Sequence, residues 1–527
     1  MMRVLGRTGA WLGRGPDPPR AGGVGEPMGR HRAGIGRLAV VIALLGPACT
    51  DDVVEASKDA RGADAARPAA ATVAASRAAA LPYPFPALES VGARPRAAVA
   101  SRARASGCSL VVGDPTGADD DVALVVSIQE AINRAQPGDD ICVVSTGGAR
   151  ERIMVARSGT RAAPIRIRAL GEVQTAGFVV EADHVAIEGF SVSSRGVGDD
   201  EGRGMGIYLA GRGLQIRNNW VSDTDGDGIG CESSPPGCTD VVIADNTVRK
   251  ASGTGIIVLG QDILVEDNDV SGSIMGDGID ADGIRFFGSD IVIRGNYVHD
   301  IHDRGYPPDE GPHTDCFQTF DDDKPPTVSV TIENNVCHDV DHQCLIAEGV
   351  TRRRSSSITF RNNICNNNGS QAIFARQFPG LTITNNLFLD SMVYHGVFLE
   401  SESTAALIGN NVFVGKYRPY VADASSRPGL VADHNLVFDR DNPMPPEWWS
   451  EANGIWGVAP VGLLGGSSTS DGRPALGAPL VDAGNNAFGG ADTDLDGSPR
   501  VLDGDRDGEA VIDIGPYEMP AGEGGRG

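Results

Sequence analysis

Residues 313–323 read HTDCFQTFDDD and put a histidine, a carboxylate, a thiol and an amide within six residues of one another. An imidazole takes up and returns a proton near neutral pH, and a neighbouring carboxylate can orient it, so His313 with Asp315 is a candidate acid–base pair. Arg285 and Arg376 are candidate clamps for an anionic group, because a guanidinium meets a carboxylate with two parallel hydrogen bonds. Asp277, Asp280 and Asp282 crowd hard oxygen ligands into MGDGIDADG, a density that suits Ca²⁺. His299, His302, His338 and His342 fall in the same middle stretch as His313. The insertion HDRGYPPDEGPHTD, ending at Asp315, is expected to form a wall or lid beside them, since function often sits on such excursions.

A repeat positions these residues. MGIYLA from Met205, DGIGCE from Asp227, TGIIVL from Thr254, DGIRFF from Asp282, DCFQTF from Asp315, QCLIAE from Gln343, QAIFAR from Gln371 and HGVFLE from His395 align beneath one another. Their starts lie 22 to 33 residues apart, and each unit carries a second motif ending in Asn, such as IRNN, IADN and IENN. Short strands at that period, without helices between them, imply one turn of a parallel β-solenoid per repeat, with coils roughly 4.8 Å apart. Asn219, Asn246, Asn268, Asn296, Asn335, Asn363, Asn386 and Asn411 then form a column whose amides bond along the axis as scaffold.

Within each six-residue strand the third and fifth residues are expected in the core and the second, fourth and sixth outside. Arg285, Gln318 and Phe374 share one outward column on this reading; Phe287, Phe320, Glu348, Arg376 and Glu400 share another. A groove of that composition suits a polysaccharide, whose repeat of roughly 5 Å matches the coil rise. The expected substrate-binding set is Gln318, Phe320, His342, Glu348, Phe374 and Arg376.

The acid excess of 25 charges argues against a nucleic-acid partner, which needs a basic stripe. MGRHRAGIGRLAVVIALLGPAC reads as a secretory signal, and Cys49 resembles the lipid-acceptor cysteine of bacterial lipoproteins. That resemblance implies an exported chain held at the cell surface or outer membrane by a lipid anchor, or else secreted; a monomer is expected. The expected organisation is a leader over 1–49, an Ala/Arg/Pro-rich tether over 50–107, the solenoid with a helical N-terminal cap over 108–440, and a C-terminal capping segment over 441–527.

The other eight cysteines make an even set, as disulfides in an exported chain do. Cys108 with Cys142 would staple the cap, and Cys231 with Cys238 would close a short loop. Cys316 and Cys344 hold equivalent places on consecutive coils, as do Cys337 and Cys365, so bridges along the axis are expected, with free thiols as the alternative for the first pair. Val125, Ile128, Ala131 and Ile132 fall at helical spacing before QPGD and a strand over 141–144. Near the C-terminus, Asp503, Asp505, Asp507 and Gly508 begin like a calcium loop, but the twelfth position is Ile514.

The segment VALVVSIQEAINRAQPGDDICVV and the strands after it resemble the N-terminal cap of secreted right-handed parallel β-helix proteins of the pectate-lyase-like superfamily. The C-terminal DTDLDGSPRVLDGDRDGEAVIDIGPYE resembles a segment found on bacterial surface β-helix proteins. The superfamily resemblance implies an all-β right-handed parallel β-helix acting on an extracellular polysaccharide, with β-elimination of a uronate-containing polymer as the first expectation. In that scheme His313 takes the proton, Asp315 orients it, and Ca²⁺ or Arg285 and Arg376 neutralise the sugar carboxylate. The chain lacks the Arg-x-x-Arg-x-Pro signature of pectate lyases and the NTD, GDD, GHG order of polygalacturonases. A glycoside hydrolase using Asp282 and Asp315, a uronate epimerase, and a non-catalytic glycan-binding or adhesin solenoid are the alternatives.

Overall fold

The computed structural model describes residues 107–113, 123–144, 150–197, 204–231, 237–276, 280–307, 311–322, 324–349, 355–389, 395–415, 418–439, 441–459, 473–474 and 477–521. The leader, Cys49, the tether up to 106 and Asp277 lie outside them. The described chain winds as a parallel β-solenoid whose coils each contribute three short strands. In one coil these are Phe317–Phe320, Val328–Glu333 and Val336–Val340. First and second strands stack into one large sheet and third strands into another of 12 strands. Two coils run their first and second strands together, over Ile256–Glu266 and Ile284–Arg294. Gly260 and Gly288 make the bend there at positive φ, and a Cβ on Gly288 would strike the carbonyl oxygen of Gly260 one coil below.

The asparagine column sets the turn between second and third strands. Asn335 donates its backbone N–H and its side-chain N–H to Oδ1 of Asn363 at 2.9 and 3.0 Å, and a further side-chain bond of 2.9 Å reaches the carbonyl of Ile293. The same pattern recurs from Asn219 through Asn246, Asn268, Asn296, Asn363, Asn386 and Asn411. Asn435 adds a rung, and Glu451 ends the ladder by accepting both N–H groups of Asn435 at 3.1 and 3.0 Å. The residue before each asparagine takes the left-handed conformation, as Asp245, Asp267, Asn334 and Asn362 show. Asn, Asp and Gly tolerate that conformation best, which is why the motif reads Asn-Asn, Asp-Asn or Gly-Asn.

The second residue of the first-strand motif turns inward, contrary to the expected alternation. The strand begins only at the third residue, and the second sits at the preceding bend. A Cβ on Gly206, Gly228, Gly255 or Gly283 would strike Val221, Val248, Val270 or Val298 of the third strand across the core. Where the pair reads Cys and Cys instead of Gly and Val, a disulfide fills the same space. The bridges are Cys316–Cys337 and Cys344–Cys365, both with Cα atoms 5.9 Å apart, so they cross the core within a coil. Bridges along the axis are thereby corrected. Cys108–Cys142 and Cys231–Cys238 pair as expected.

At the N-terminal end a helix over Ile128–Arg134 covers the core with Ile128, Ala131 and Ile132, and its cap Ser127 accepts the N–H of Glu130. Val125, read from its spacing as helical, lies in the short strand Ala123–Val125 instead. The strand after the QPGD turn runs over Asp140–Val143. At the other end Trp449 and Trp456 pack against the last core residues. The following segment lies along the outer face of the third-strand sheet. There Leu480, Val481, Ile514 and Tyr517 cover Val336, Ile364, Leu387, Val412 and Leu436. A buried pair, Arg500 with Glu518 at 3.0 Å, and a bond from Arg500 to Asn362 at 2.6 Å hold it there. In that segment Asp503 and Asp505 gather with Asp482, their ligand oxygens within 4.8 Å of one another, while Asp507 accepts the N–H of Glu509.

Two outcomes test this architecture. Non-reducing digestion with mass spectrometry will yield linked peptides holding Cys316–Cys337 and Cys344–Cys365, and none joining Cys316 to Cys344. Asn335→Ala will strip a fully buried rung of its bonds and destabilise the chain by about 1 to 3 kcal/mol, read as a lower thermal midpoint.

Candidate functional site

Strand register carries the outward side chains of the first strands from coil to coil. Arg285 pairs with Gln318, then Ile346, Phe374 and Phe398. Phe320 pairs with Glu348, then Arg376 and Glu400. Phe398 thus extends the first column, and it was legible as the fourth residue of HGVFLE, equivalent to Phe374. The rings of Phe374 and Phe398 lie 5.7 Å apart and half-buried, and His395 packs 5.2 Å from Phe398. Arg376 stands between two acids, 3.5 Å from Glu348 and 3.6 Å from Glu400. Burial pushes the Glu348 carboxyl up, against the pull of Arg376.

The aspartates at the head of these strands are buried beside the fourth-residue column. The side chains of Asp282 and Asp315 are fully buried. Asp282 accepts the N–H of Asp315 at 2.9 Å, and Asp315 accepts that of Gln343 at 2.7 Å, so each caps the start of the next coil. Asp227 does the same for Thr254. Arg285, 7% exposed, binds Asp282 through Nε at 3.1 Å and through a second, shorter bond, and reaches Asp280 at 3.1 Å. This guanidinium already supplies the positive charge for Asp280 and Asp282. Asp282 therefore does not fit as a Ca²⁺ ligand, because Arg285 and the N–H of Asp315 occupy its two oxygens. Arg285 is likewise spent inside the fold and is not a clamp facing the groove.

Among the described residues no ion pair reaches Asp315, and the charge of Arg285 acts on it only weakly beside the opposing effects. Burial, and then the charge of Asp282, hold its carboxyl well above the usual range. Gln318 lies beside it, its Nε2 at 3.4 Å from Oδ2 and its Oε1 buried without a partner. A protonated Asp315 resolves this arrangement, because its O–H has an amide oxygen to meet once the amide turns over. Asp315 consequently serves the coil boundary and Gln318, and the expectation that it orients His313 is corrected.

His313 is exposed at the head of its strand. Its ring lies 5.1 Å from that of His342 on the next coil. His342 accepts the backbone N–H of Thr314 on Nδ1 at 3.0 Å, which leaves the proton of the neutral ring on Nε2. Burial, with the neighbouring His313, pushes His342 down to about 4, so it stays a neutral donor at ordinary pH. The charge of His313 is also felt at Glu348, which places the histidine pair and the Glu–Arg–Glu column in one locality. Two other histidines of that stretch stand elsewhere. His299 is held between Asp269 and Asp300 on the third-strand face, and His302 lies 3.1 Å from Asp341. The insertion leaves from that face, and its end brings His313 to the groove.

The family described as "Right handed beta helix region" matches residues 158–270, 236–413 and 310–443, together more than half of the chain. The chain belongs to the right-handed β-helix family. No curated protein matches it. Among solved structures, this β-helix protein is similar to pectate lyase Pel9A, at 13% identity over 79% of this chain and 98% of that one, with a TM-score of 0.47. An alginate lyase from Paenibacillus sp. str. FPU-7 aligns at 15% identity over 58% and 95%, with a TM-score of 0.34. The A-module of the Azotobacter vinelandii mannuronan C-5 epimerase AlgE6 aligns at 12% over 63% and 93%, with a TM-score of 0.42.

The buried acids generate two expectations. Arg285→Ala will leave Asp282 buried and unpaired and destabilise the β-helix by about 3 to 5 kcal/mol. Arg376→Ala, on the half-exposed column, will shift stability by about 1 kcal/mol or less; denaturant titration of both variants checks the contrast. Because Asp315 holds its proton more tightly folded than unfolded, its contribution is fully present below the ordinary aspartate pKa of about 4 and is lost as pH rises toward its folded value. Asp315→Asn keeps an acceptor for Gln343 and offers an N–H to Gln318. Its thermal midpoint will match wild type at acid pH and fall less steeply as pH rises.

Proposed function

We propose that this β-helix protein is exported and binds an extracellular acidic polysaccharide along its first-strand face, cleaving it by β-elimination. The observation that carries this reading is the strip of Phe374, Phe398, Glu348, Arg376 and Glu400 beside the His313–His342 pair. Aromatic faces half-open to solvent accept sugar rings, and coil rise matches sugar repeat. Four bridges among the described residues suit an oxidising compartment.

Arg376 sits beyond tight bonding distance from both glutamates, so its N–H groups have reach for a uronate carboxylate. His313 takes the proton from C5. The electron pair left behind forms the C4=C5 double bond as the C4–O bond breaks, and the departing oxygen receives a proton from the imidazolium or from water. His342, through Nε2–H, holds the sugar without competing for the proton.

A second reading rests on the acids that flank Arg376. Glu348 and Glu400 are two coils apart, roughly 10 Å by the coil rise, near the roughly 6.5 to 9.5 Å that inverting glycoside hydrolysis uses. Glu348, raised by burial, would be the acid and Glu400 the base. Asp282 and Asp315 are too deeply buried for that role.

Incubation with alginate, pectate and glycosaminoglycans, with and without Ca²⁺, separates these readings. Elimination will produce ultraviolet absorbance from unsaturated ends, falling by about a hundredfold or more in His313→Ala while the fold persists. Shortened chains without absorbance, lost in Glu348→Gln, establish hydrolysis instead. Binding without any product overturns both and leaves a glycan-binding solenoid.

A further inference from the structure

The outward face of the first strands changes character along the axis. Before Gln318 the fourth-residue column holds Gly230, Ile257 and Arg285, and the sixth-residue column holds Leu259 and Phe287. Ile257, Leu259 and Phe287 point away from the core, yet they are as buried as core residues, and Phe287 is 0% exposed. They form a second apolar cluster with Met205, against which Tyr208 and Phe320 pack. Gly230 shows how the cover lies on the sheet. A Cβ there would stand 2.7 Å from Sδ of Met205 and 2.8 Å from Ile257, so the thioether rests in the space where other coils carry an outward side chain. Phe320 meets Phe287 edge-on at 5.0 Å, and the ammonium of Lys324 stands 5.5 Å over the ring of Phe287.

The sixth-residue column opens from Phe320 and the fourth-residue column from Phe374, since Gln318 and Ile346 are still buried. Phe320, Glu348, Phe374, Arg376, Phe398 and Glu400 are all part-exposed. The usable floor therefore runs over the coils of Phe320, Glu348, Arg376 and Glu400, which at roughly 4.8 Å per coil is room for about four sugars. A chain lying on this floor from Phe320 meets a wall of Lys324 stacked on Phe287 toward the N-terminal end of the solenoid, because the sheet surface beyond is sealed by apolar packing.

We propose that the groove is closed at that end and holds one terminus of a polysaccharide rather than its middle, so that the protein works from chain ends. This rests on the reading that the groove binds a polysaccharide. The wall is a specificity element: it selects chain ends by blocking continuation, and it does not depend on whether the bond is broken by elimination or hydrolysis.

The test uses oligouronates of graded length, from galacturonate and from alginate, each carrying a bulky fluorophore on one terminus or the other. Affinity will rise with length up to about four sugars and then level off. A label on the terminus facing the wall will weaken binding by about tenfold or more, roughly 1.4 kcal/mol, while a label on the opposite terminus will be tolerated. Tolerance of both labels, or affinity still climbing well beyond that length, overturns the proposal. In parallel, digestion of the polymer will release short products from the outset while viscosity falls slowly. An early spread of long fragments with a rapid loss of viscosity overturns chain-end action but leaves the polysaccharide reading standing. If neither binding nor products arise with any polymer, both fall together.

Discussion

In-register stacking of coils, held by the asparagine ladder, is the constraint from which the rest of this structure follows. Each amide oxygen receives two N–H groups from the coil beneath, and each amide nitrogen answers a carbonyl that the turn would otherwise orphan. Buried backbone groups without partners are costly, so the ladder forbids slippage between coils. Once register is set, every outward position becomes a column, and a residue's function depends on the coils above and below it.

Columns create an electrostatic difficulty, because equivalent residues stack at strand spacing and like charges repel. The β-helix resolves it in more than one way. On the second strands acids and bases alternate, Arg294 bonding Glu266 and Arg361 bonding Glu333. On the first strands Glu348, Arg376 and Glu400 alternate more loosely, which leaves the guanidinium with capacity for a ligand. At the strand heads Arg285 neutralises Asp282, and burial beside Asp282 pushes the Asp315 carboxyl up, toward its neutral form. The proposed binding strip is thus the column where compensation is least complete.

Much of this was legible in the chain. The repeat period, the asparagine column and the two outward columns follow from spacing alone, because a solenoid turns sequence equivalence directly into spatial equivalence. The cross-core bridges were also within reach. Gly283 with Val298 on one coil becomes Cys316 with Cys337 on the next, a volume-conserving exchange that identifies the partners. What spacing misjudged was the strand heads, where a bend turns the second residue into the core and leaves Asp282 and Asp315 buried against Arg285 and Gln318.

The sequence by itself determined the architecture and the identity of the groove columns, since both rest on local periodicity repeated coil after coil. Tertiary structure alone decided which polar groups remain available. Proximity of Asp315 to His313 along the chain did not become contact, because the aspartate is drawn to the next coil's N–H. His342, from the coil above, became the neighbour of His313 and took its tautomer from the N–H of Thr314. Clustering of Met205 with Ile257, Leu259 and Phe287 likewise joins side chains from different coils. Desolvation and hydrogen bonding act between residues distant in sequence, and those interactions set charge, exposure and access at the site.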